Sequence, residues 1–297
     1  MDLDAISSSL DYTGEEFEVV VDGNTLKGQK WVPKGEIRFK YVFVHGFSVF
    51  CTFYLDVFKV MNSIGAAVYA CDHYGHGKSS GYRGSGTIDI NVDGLEQVVI
   101  FAAQDGDYVP IFIHGHSMGG LVTLMLSLKK RQLIQTHISG IITENPWLSF
   151  HPRKAPGCCL NSLIKAIYYV APNLTFPVGV DDCSPDQNPE WNHNLVNSPL
   201  FYPKISPKLY ISVIESQNYI RSQKLHWNND IPYLFLQGGR DMLVSPSENS
   251  YFFRYLARKR NIEFKYYENN SHVLLKTPMR KKILEEMICF INKNINI

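Results

Sequence analysis

Apolar residues follow two rhythms along this chain of 297 residues. Near the start, residues 17–21 and 26–31 flank Asp22-Gly23, a dipeptide that favours a two-residue hairpin turn. The next runs are continuous rather than alternating. Residues 39–44, 67–71, 111–114 and 138–143 are short and predominantly apolar, as expected of strands covered on both faces. Between them, 53–64 and 88–103 carry helical spacing, the latter with Ile90, Leu95, Val98, Val99 and Ala102 as its apolar positions. Strands alternating with helices predict an α/β fold, with a mostly parallel sheet and right-handed crossovers.

The rhythm stops at Asn145-Pro146. Residues 147–230 are rich in Pro, Asn and Ser and hold one apolar helical segment, 160–171. A connection this long is not structureless in a compact domain, so an inserted cap is expected there. Strands resume at 232–237 and 264–267, and an amphipathic helix at 280–292 closes the chain. The expected division is a core in two parts, 1–146 and 231–297, with the cap at 147–230 between them. Neither an internal repeat nor a low-complexity segment is present.

Composition narrows the class. Hydrophobic residues make up 45% and charged residues 19%, which describes a globular protein. A net charge of +1 gives no electrostatic argument for nucleic acid, so no nucleic-acid partner is expected. The basic runs 258–260 and 280–282 read as solvated helix ends. The start, Met1-Asp2-Leu3-Asp4, is acidic and lacks the apolar segment of a secretory signal, and no stretch is apolar for long enough to span a bilayer. The six cysteines lack framework spacing and read as reduced thiols, so a cytoplasmic location is expected and the sequons at Asn173 and Asn269 are expected to be unused.

Candidate chemistry sits where predicted strands end. Gly115-His116-Ser117-Met118-Gly119 lies between the strand at 111–114 and a run of helix-compatible residues, 120–126. Strand, G-x-S-x-G and helix form a nucleophile elbow, a sharp turn that exposes the serine oxygen at the head of a helix. A hydroxyl needs a base to take its proton, and the base needs a third group to orient it. Asp241 follows the strand ending at Gln237, and His272 follows the one ending near Tyr267. The order Ser117, Asp241, His272 is that of α/β-hydrolases. The oxyanion hole calls for two backbone donors, for which the N–H groups of Met118 and of Phe47, in the loop after the first core strand, are the candidates. His45 and His116 read as loop scaffolding. Gly75-His76-Gly77-Lys78-Ser79 lacks phosphate-loop spacing and reads as a sharp turn. No cluster of His, Cys or carboxylates has metal-ligand spacing, so neither metal nor cofactor is expected.

Taken together, Val44-His45-Gly46, the segment 72–79, Gly115-His116-Ser117-Met118-Gly119-Gly120, Glu144-Asn145-Pro146, the segment 236–241 and His272-Val273-Leu274 resemble the monoglyceride lipase and lysophospholipase group of α/β-hydrolases, over nearly the whole chain from about Phe17. The resemblance implies an ester hydrolase in which Ser117 attacks the carbonyl, His272 acts as base and then acid, Asp241 orients His272, and the Phe47 and Met118 N–H groups hold the oxyanion. It also implies a hydrophobic cap that admits an acyl chain and touches membranes or lipid droplets. Leu160, Leu163, Ile164, Ile167, Tyr168 and Val170 fit such a surface, and Leu163, Ile167 and Val273 are the candidate substrate contacts. In one place the chain departs from the group. Animal monoglyceride lipases carry an acidic and a basic residue after the His-Gly pair, whereas the loop at 47–53 is uncharged. The expected substrate is therefore a long-chain monoacylglycerol, with lysophospholipids or other small esters as the alternative. A non-catalytic binding protein on the same scaffold is the remaining option, though such proteins usually lose a member of the triad.

Overall fold

The computed structural model describes residues 12–179, 189–224, 227, 231–259 and 261–295. Two strands, β1 (Glu15–Val21) and β2 (Asn24–Trp31), form the expected hairpin. Its turn residues both take positive φ, Asp22 at 48° and Gly23 at 75°, the sense of twist that two-residue hairpins need. The central strands are β3 (Phe39–Val44), β4 (Ala66–Cys71), β5 (Ile111–His116) and β6 (Ile138–Glu144). After a short antiparallel pair, β7 (Phe176–Pro177) with β8 (Lys204–Ile205), come β9 (Tyr233–Gly238) and β10 (Ile262–Tyr267). Eight strands form one sheet in the order β1-β2-β4-β3-β5-β6-β9-β10, antiparallel at β1-β2 and β2-β4 and parallel elsewhere. This is the α/β-hydrolase fold.

Every residue of β3 and β5 is buried, which explains why apolar residues dominate them. Alternate side chains serve opposite faces. Val42, Val44, Ile113 and Ile141 join one core layer, and Tyr41, Phe43, Phe112 and Ile142 join the other. The second layer is covered by α1 (Leu55–Ser63), whose first turn is preceded by a 3₁₀ turn at Cys51–Tyr54. The first layer is covered by α2 (Ile88–Gln104) and α3 (Met118–Lys129). The Thr87 hydroxyl caps α2 by accepting from Ile90 N–H at 3.2 Å. A short helix the sequence reading omitted, α4 (Arg131–His137), leads into β6.

Between β6 and β9 the structure holds more helix than the single expected segment. α5 (Cys158–Val170) matches it within two residues, and α6 (Pro189–Val196) and α7 (Pro207–Ser222) follow. In α7 apolar and polar residues are mixed, and Leu209, Val213 and Ile220 are buried and seat the helix on α2 and α3. Its start carried a readable signal: Ser206 accepts from Leu209 N–H at 3.1 Å, and Pro207 occupies the first turn. By contrast α5 buries none of its residues. Two last helices, α8 (Pro246–Leu256) and α9 (Arg280–Asn294), cover opposite faces of the β9 side of the sheet.

Phe112 is fully buried near the sheet centre, with the Phe39 ring 5.9 Å and the Phe290 ring 6.5 Å from its own. Phe112→Ala is expected to lower the free energy of unfolding by about 3–5 kcal/mol. Urea denaturation measures it, and a loss below about 1 kcal/mol would contradict this placement of the core.

Candidate active site

Ser117 stands between β5 and α3 with φ 54° and ψ −116°, a left-handed backbone that a residue with a Cβ adopts only under constraint. The turn is pinned on both sides. Ser117 N–H donates to Glu144 O at 2.9 Å, and Ser117 O accepts from Leu121 N–H at 3.1 Å and from Trp147 N–H at 2.9 Å. Glycine is required beside it. A Cβ at Gly119 would lie 2.1 Å from Val44 O, and one at Gly115 would lie 2.5 Å from Gly119 O. Met118 opens α3, so its N–H is among the amides with no acceptor inside the helix. The β3 loop runs beside Ser117: a Cβ built on Gly46 would sit 3.2 Å from Ser117 Cβ, which brings the Phe47 backbone alongside.

Asp241 and His272 meet. His272 Nδ1 lies 2.6 Å from Asp241 Oδ2, and both residues are buried. The other carboxylate oxygen, Oδ1, accepts from Leu243 N–H at 2.8 Å and Val244 N–H at 2.9 Å, so the carboxylate is held from both ends. With Nδ1 committed to the carboxylate, Nε2 is left to face the cavity. Ser117 and His272 both line that cavity, which has a volume of about 560 Å³.

The cavity wall is mostly apolar, with Lys154 lining it and donating to Gly179 O at 3.1 Å. Phe47, Val49 and Phe53 contribute from the loop after β3, and Trp147, Phe150, Leu160, Leu163, Ile164, Ile167, Leu195 and Val196 from the segment between β6 and β9. Val273 lines it beside His272. The three expected substrate contacts, Leu163, Ile167 and Val273, thus share one cavity with Ser117. Among the described residues, no carboxylate lines it. Tyr168 and Val170 are not among its lining residues, and Val170 is 82% exposed on the outside of α5.

Buried histidines serve the scaffold. His45 Nε2 accepts from His73 N–H at 3.0 Å, and His73 Nε2 bonds His45 O at 2.9 Å, tying the β3 and β4 loops together. His116 bridges the Tyr54 hydroxyl at 2.7 Å and His272 O at 3.2 Å. Burial pushes His45 and His114 down to about 3 and His76 to about 4, so these rings are neutral near pH 7. The turn at 75–79 is built around Asp72, whose carboxylate accepts from Cys51 N–H at 2.7 Å and Lys78 N–H at 2.8 Å. The Lys78 amide of the turn is thus committed to a carboxylate of the same chain. Cys51 is buried, and burial pushes its thiol well up, away from thiolate reactivity.

Reading the sequence did not single out Glu144. Its carboxyl is fully buried at the end of β6, with Oε1 accepting from Leu275 N–H at 3.2 Å and Oε2 3.7 Å from His114 Nε2. Burial pushes it up to about 8, against the pull of the Leu275 and Leu274 amides and of Lys276. In the sequence it appeared only as part of Glu144-Asn145-Pro146, one of the segments that carry the family resemblance.

Similarity to known proteins follows the same lines. The model of the Hydrolase_4 family, serine aminopeptidase S33, matches residues 35–278. The monoglyceride lipase of Mus musculus is 27% identical over 257 residues, 86% of this chain and 82% of its own length. The solved monoacylglycerol lipase of Paleococcus ferrophilus superposes with a TM-score of 0.76 at 23% identity, covering 89% of this chain and 99% of that one. A soluble variant of the Saccharomyces cerevisiae monoglyceride lipase, solved with a substrate analogue, gives a TM-score of 0.81 at 18% identity, covering 96% and 97%.

The Glu144 carboxyl has a pH consequence. Its folded pKa, about 8, lies above the ordinary 4.5, so the native chain binds this proton more tightly than the unfolded chain does. The stability it adds is complete below the ordinary value and is lost as pH rises through the folded one. Glu144→Gln is therefore expected to flatten the fall in Tm between about pH 5 and pH 9. Parallel thermal scans of both chains test this, and identical pH slopes would contradict it.

Proposed function

The chain belongs to the serine aminopeptidase S33 family and is a carboxylic ester hydrolase, and on that premise we propose that it cleaves long-chain monoacylglycerols to fatty acid and glycerol through Ser117, His272 and Asp241. The observation that carries the reading is the His272–Asp241 pair at 2.6 Å, opening with Ser117 onto one mostly apolar cavity. A volume of about 560 Å³ suits one acyl chain with a small head, being within the roughly 300–1,000 Å³ of ordinary ligand pockets. The mostly apolar wall favours an apolar acyl group.

In the proposed reaction His272 Nε2 takes the Ser117 proton as the oxygen attacks the ester carbonyl. The Phe47 and Met118 N–H groups hold the oxyanion. His272 returns the proton to the leaving glycerol oxygen. Water, deprotonated by His272, then attacks the acyl-enzyme, and collapse of the second tetrahedral species frees the fatty acid and Ser117. Asp241 keeps the imidazole tautomer with its proton on Nδ1 and stabilises the imidazolium. The chemistry draws on side chains and backbone amides alone. An aminopeptidase reading is disfavoured, because no carboxylate among the described lining residues awaits a substrate amino group.

Exposed apolar residues surround the cap side of the cavity: Leu160 is 50% exposed, Leu163 54% and Leu174 53%. This surface supports peripheral contact of a cytoplasmic enzyme with membranes or lipid droplets. Among the described residues no helix is long and apolar enough to cross a membrane.

Two outcomes follow. Glycerol release from a long-chain monoacylglycerol is expected to exceed choline-phosphoglycerol release from lysophosphatidylcholine, and Ser117→Ala is expected to lower either by several orders of magnitude. Retention of a tenth of the activity by Ser117→Ala would reject the nucleophile. Preference for the lysophospholipid, which the uncharged wall at 47–53 would tolerate, would move the substrate to the alternative. Leu163→Asp is expected to raise KM for long-chain esters by about tenfold, the cost of a charge on an acyl contact, and to reduce co-sedimentation with liposomes. An unchanged KM and unchanged sedimentation would remove Leu163 from the acyl path and from the membrane face.

A further inference from the structure

Asn145 is the first residue past β6, fully buried, with φ 42°. Its N–H donates to Leu236 O at 2.9 Å and carries the β6–β9 ladder one step beyond the strand. The side chain then spans two loops. Asn145 Nδ2 donates to His272 O at 2.6 Å and to Ser271 O at 3.3 Å. Asn145 Oδ1 accepts from Gly238 N–H at 2.7 Å. Gly238 ends β9, three residues before Asp241. One amide therefore grips the backbone on which the base sits and the strand end from which its carboxylate partner departs. The residue before it completes the link, since Glu144 O accepts from Ser117 N–H at 2.9 Å and Glu144 Oε1 accepts from Leu275 N–H at 3.2 Å.

Few side chains could do this. The site presents two carbonyl oxygens on one side and one N–H on the other, so it needs a donor and an acceptor in a single short planar group. The partners fix which end of the amide is nitrogen. Aspartate would set an oxygen against the carbonyls of Ser271 and His272. Alanine or serine would leave polar groups unpaired in a dry interior, and glutamine is one methylene too long. Asparagine also tolerates the left-handed backbone that most residues avoid.

We infer that Asn145 is a positioning residue for the proposed triad, acting through backbone contacts that set the separation of His272 and Asp241. The inference rests on the Ser117–His272–Asp241 reading. Catalytic groups tolerate little error, and a displacement of about 1 Å can cost about 100-fold in rate. Without the amide, the two loops keep the bonds from Gly239 N–H to Tyr267 O at 2.9 Å and from Arg240 N–H to Asn270 O at 2.9 Å, but the backbone of His272 itself loses its tie to the end of β9.

The test uses the whole chain with Asn145→Ala and Asn145→Asp, a soluble p-nitrophenyl ester, thermal unfolding, and proton NMR of the far-downfield signal from His272 Nδ1–H. In folded variants, kcat is expected to fall about 10- to 100-fold with KM within about twofold, and the downfield signal to broaden or vanish as the bond to Asp241 loosens. A merely structural role would lower Tm and leave the signal and the ratio of kcat to KM in place. Either variant folding with kcat and the signal unchanged overturns the inference. Failure of both to fold also overturns it, making Asn145 a determinant of folding. A wild-type chain whose ester hydrolysis survives Ser117→Ala overturns the triad reading first and this inference with it, an outcome distinct from wild-type-like behaviour of the Asn145 variants.

Discussion

Ser117 holds a left-handed backbone, φ 54° and ψ −116°, and the geometry around it depends on keeping that turn tight. A side chain at Gly119 would drive α3 off the end of β3, where Val44 O stands 2.1 Å from the Cβ position. The close approach it permits sets the first amides of α3 beside the β3 loop and brings Phe47 and Met118 to the same end of the sheet. Strain of this kind persists only where surrounding contacts over-determine it. Here they are the backbone bonds from Glu144, Leu121 and Trp147.

Behind the turn, the interior is polar but dry. The carboxylate of Asp72, the neutral rings of His45, His73, His76 and His116, and the carboxyl of Glu144 are all buried and bonded to loop backbone. Buried polar groups are costly unless satisfied, so each fixes a loop in one arrangement. Most of them join segments far apart in the chain. Parallel strands put the ends of β3, β4, β5, β6, β9 and β10 at one edge, and these bonds fasten the loops there to one another. The mostly apolar cavity opens at Ser117, so the nucleophile sits at a boundary between a buried polar scaffold and an apolar chamber.

Much of this was legible in the sequence. Predominantly apolar runs gave the parallel strands because strands covered on both faces have no polar side to show. Gly115 and Gly119 announced the elbow, since their lack of a side chain is a steric demand of the turn. Asp241 and His272 were found by position after strands, and the two side chains meet at 2.6 Å. What escaped notice has physical reasons. α7 buries polar Ser216 and Gln217 on the same face as Leu209, Val213 and Ile220, so its periodicity is faint although its Ser206-Pro207 start was visible. Asn145 looked like a strand-ending residue before proline, and nothing local reveals that its amide reaches backbone more than 90 residues away. Glu144 was hidden in the same way, because a buried carboxyl is defined by what surrounds it.

The account turns on one serine being made nucleophilic by one histidine. Peptide mapping by mass spectrometry after reaction with a fluorophosphonate tests that claim most directly, because the reagent bonds to an activated hydroxyl and marks it. The account predicts a single stoichiometric adduct on Ser117, formed far more slowly in the Asp241→Asn chain. An adduct on another residue, or none at all, would contradict it.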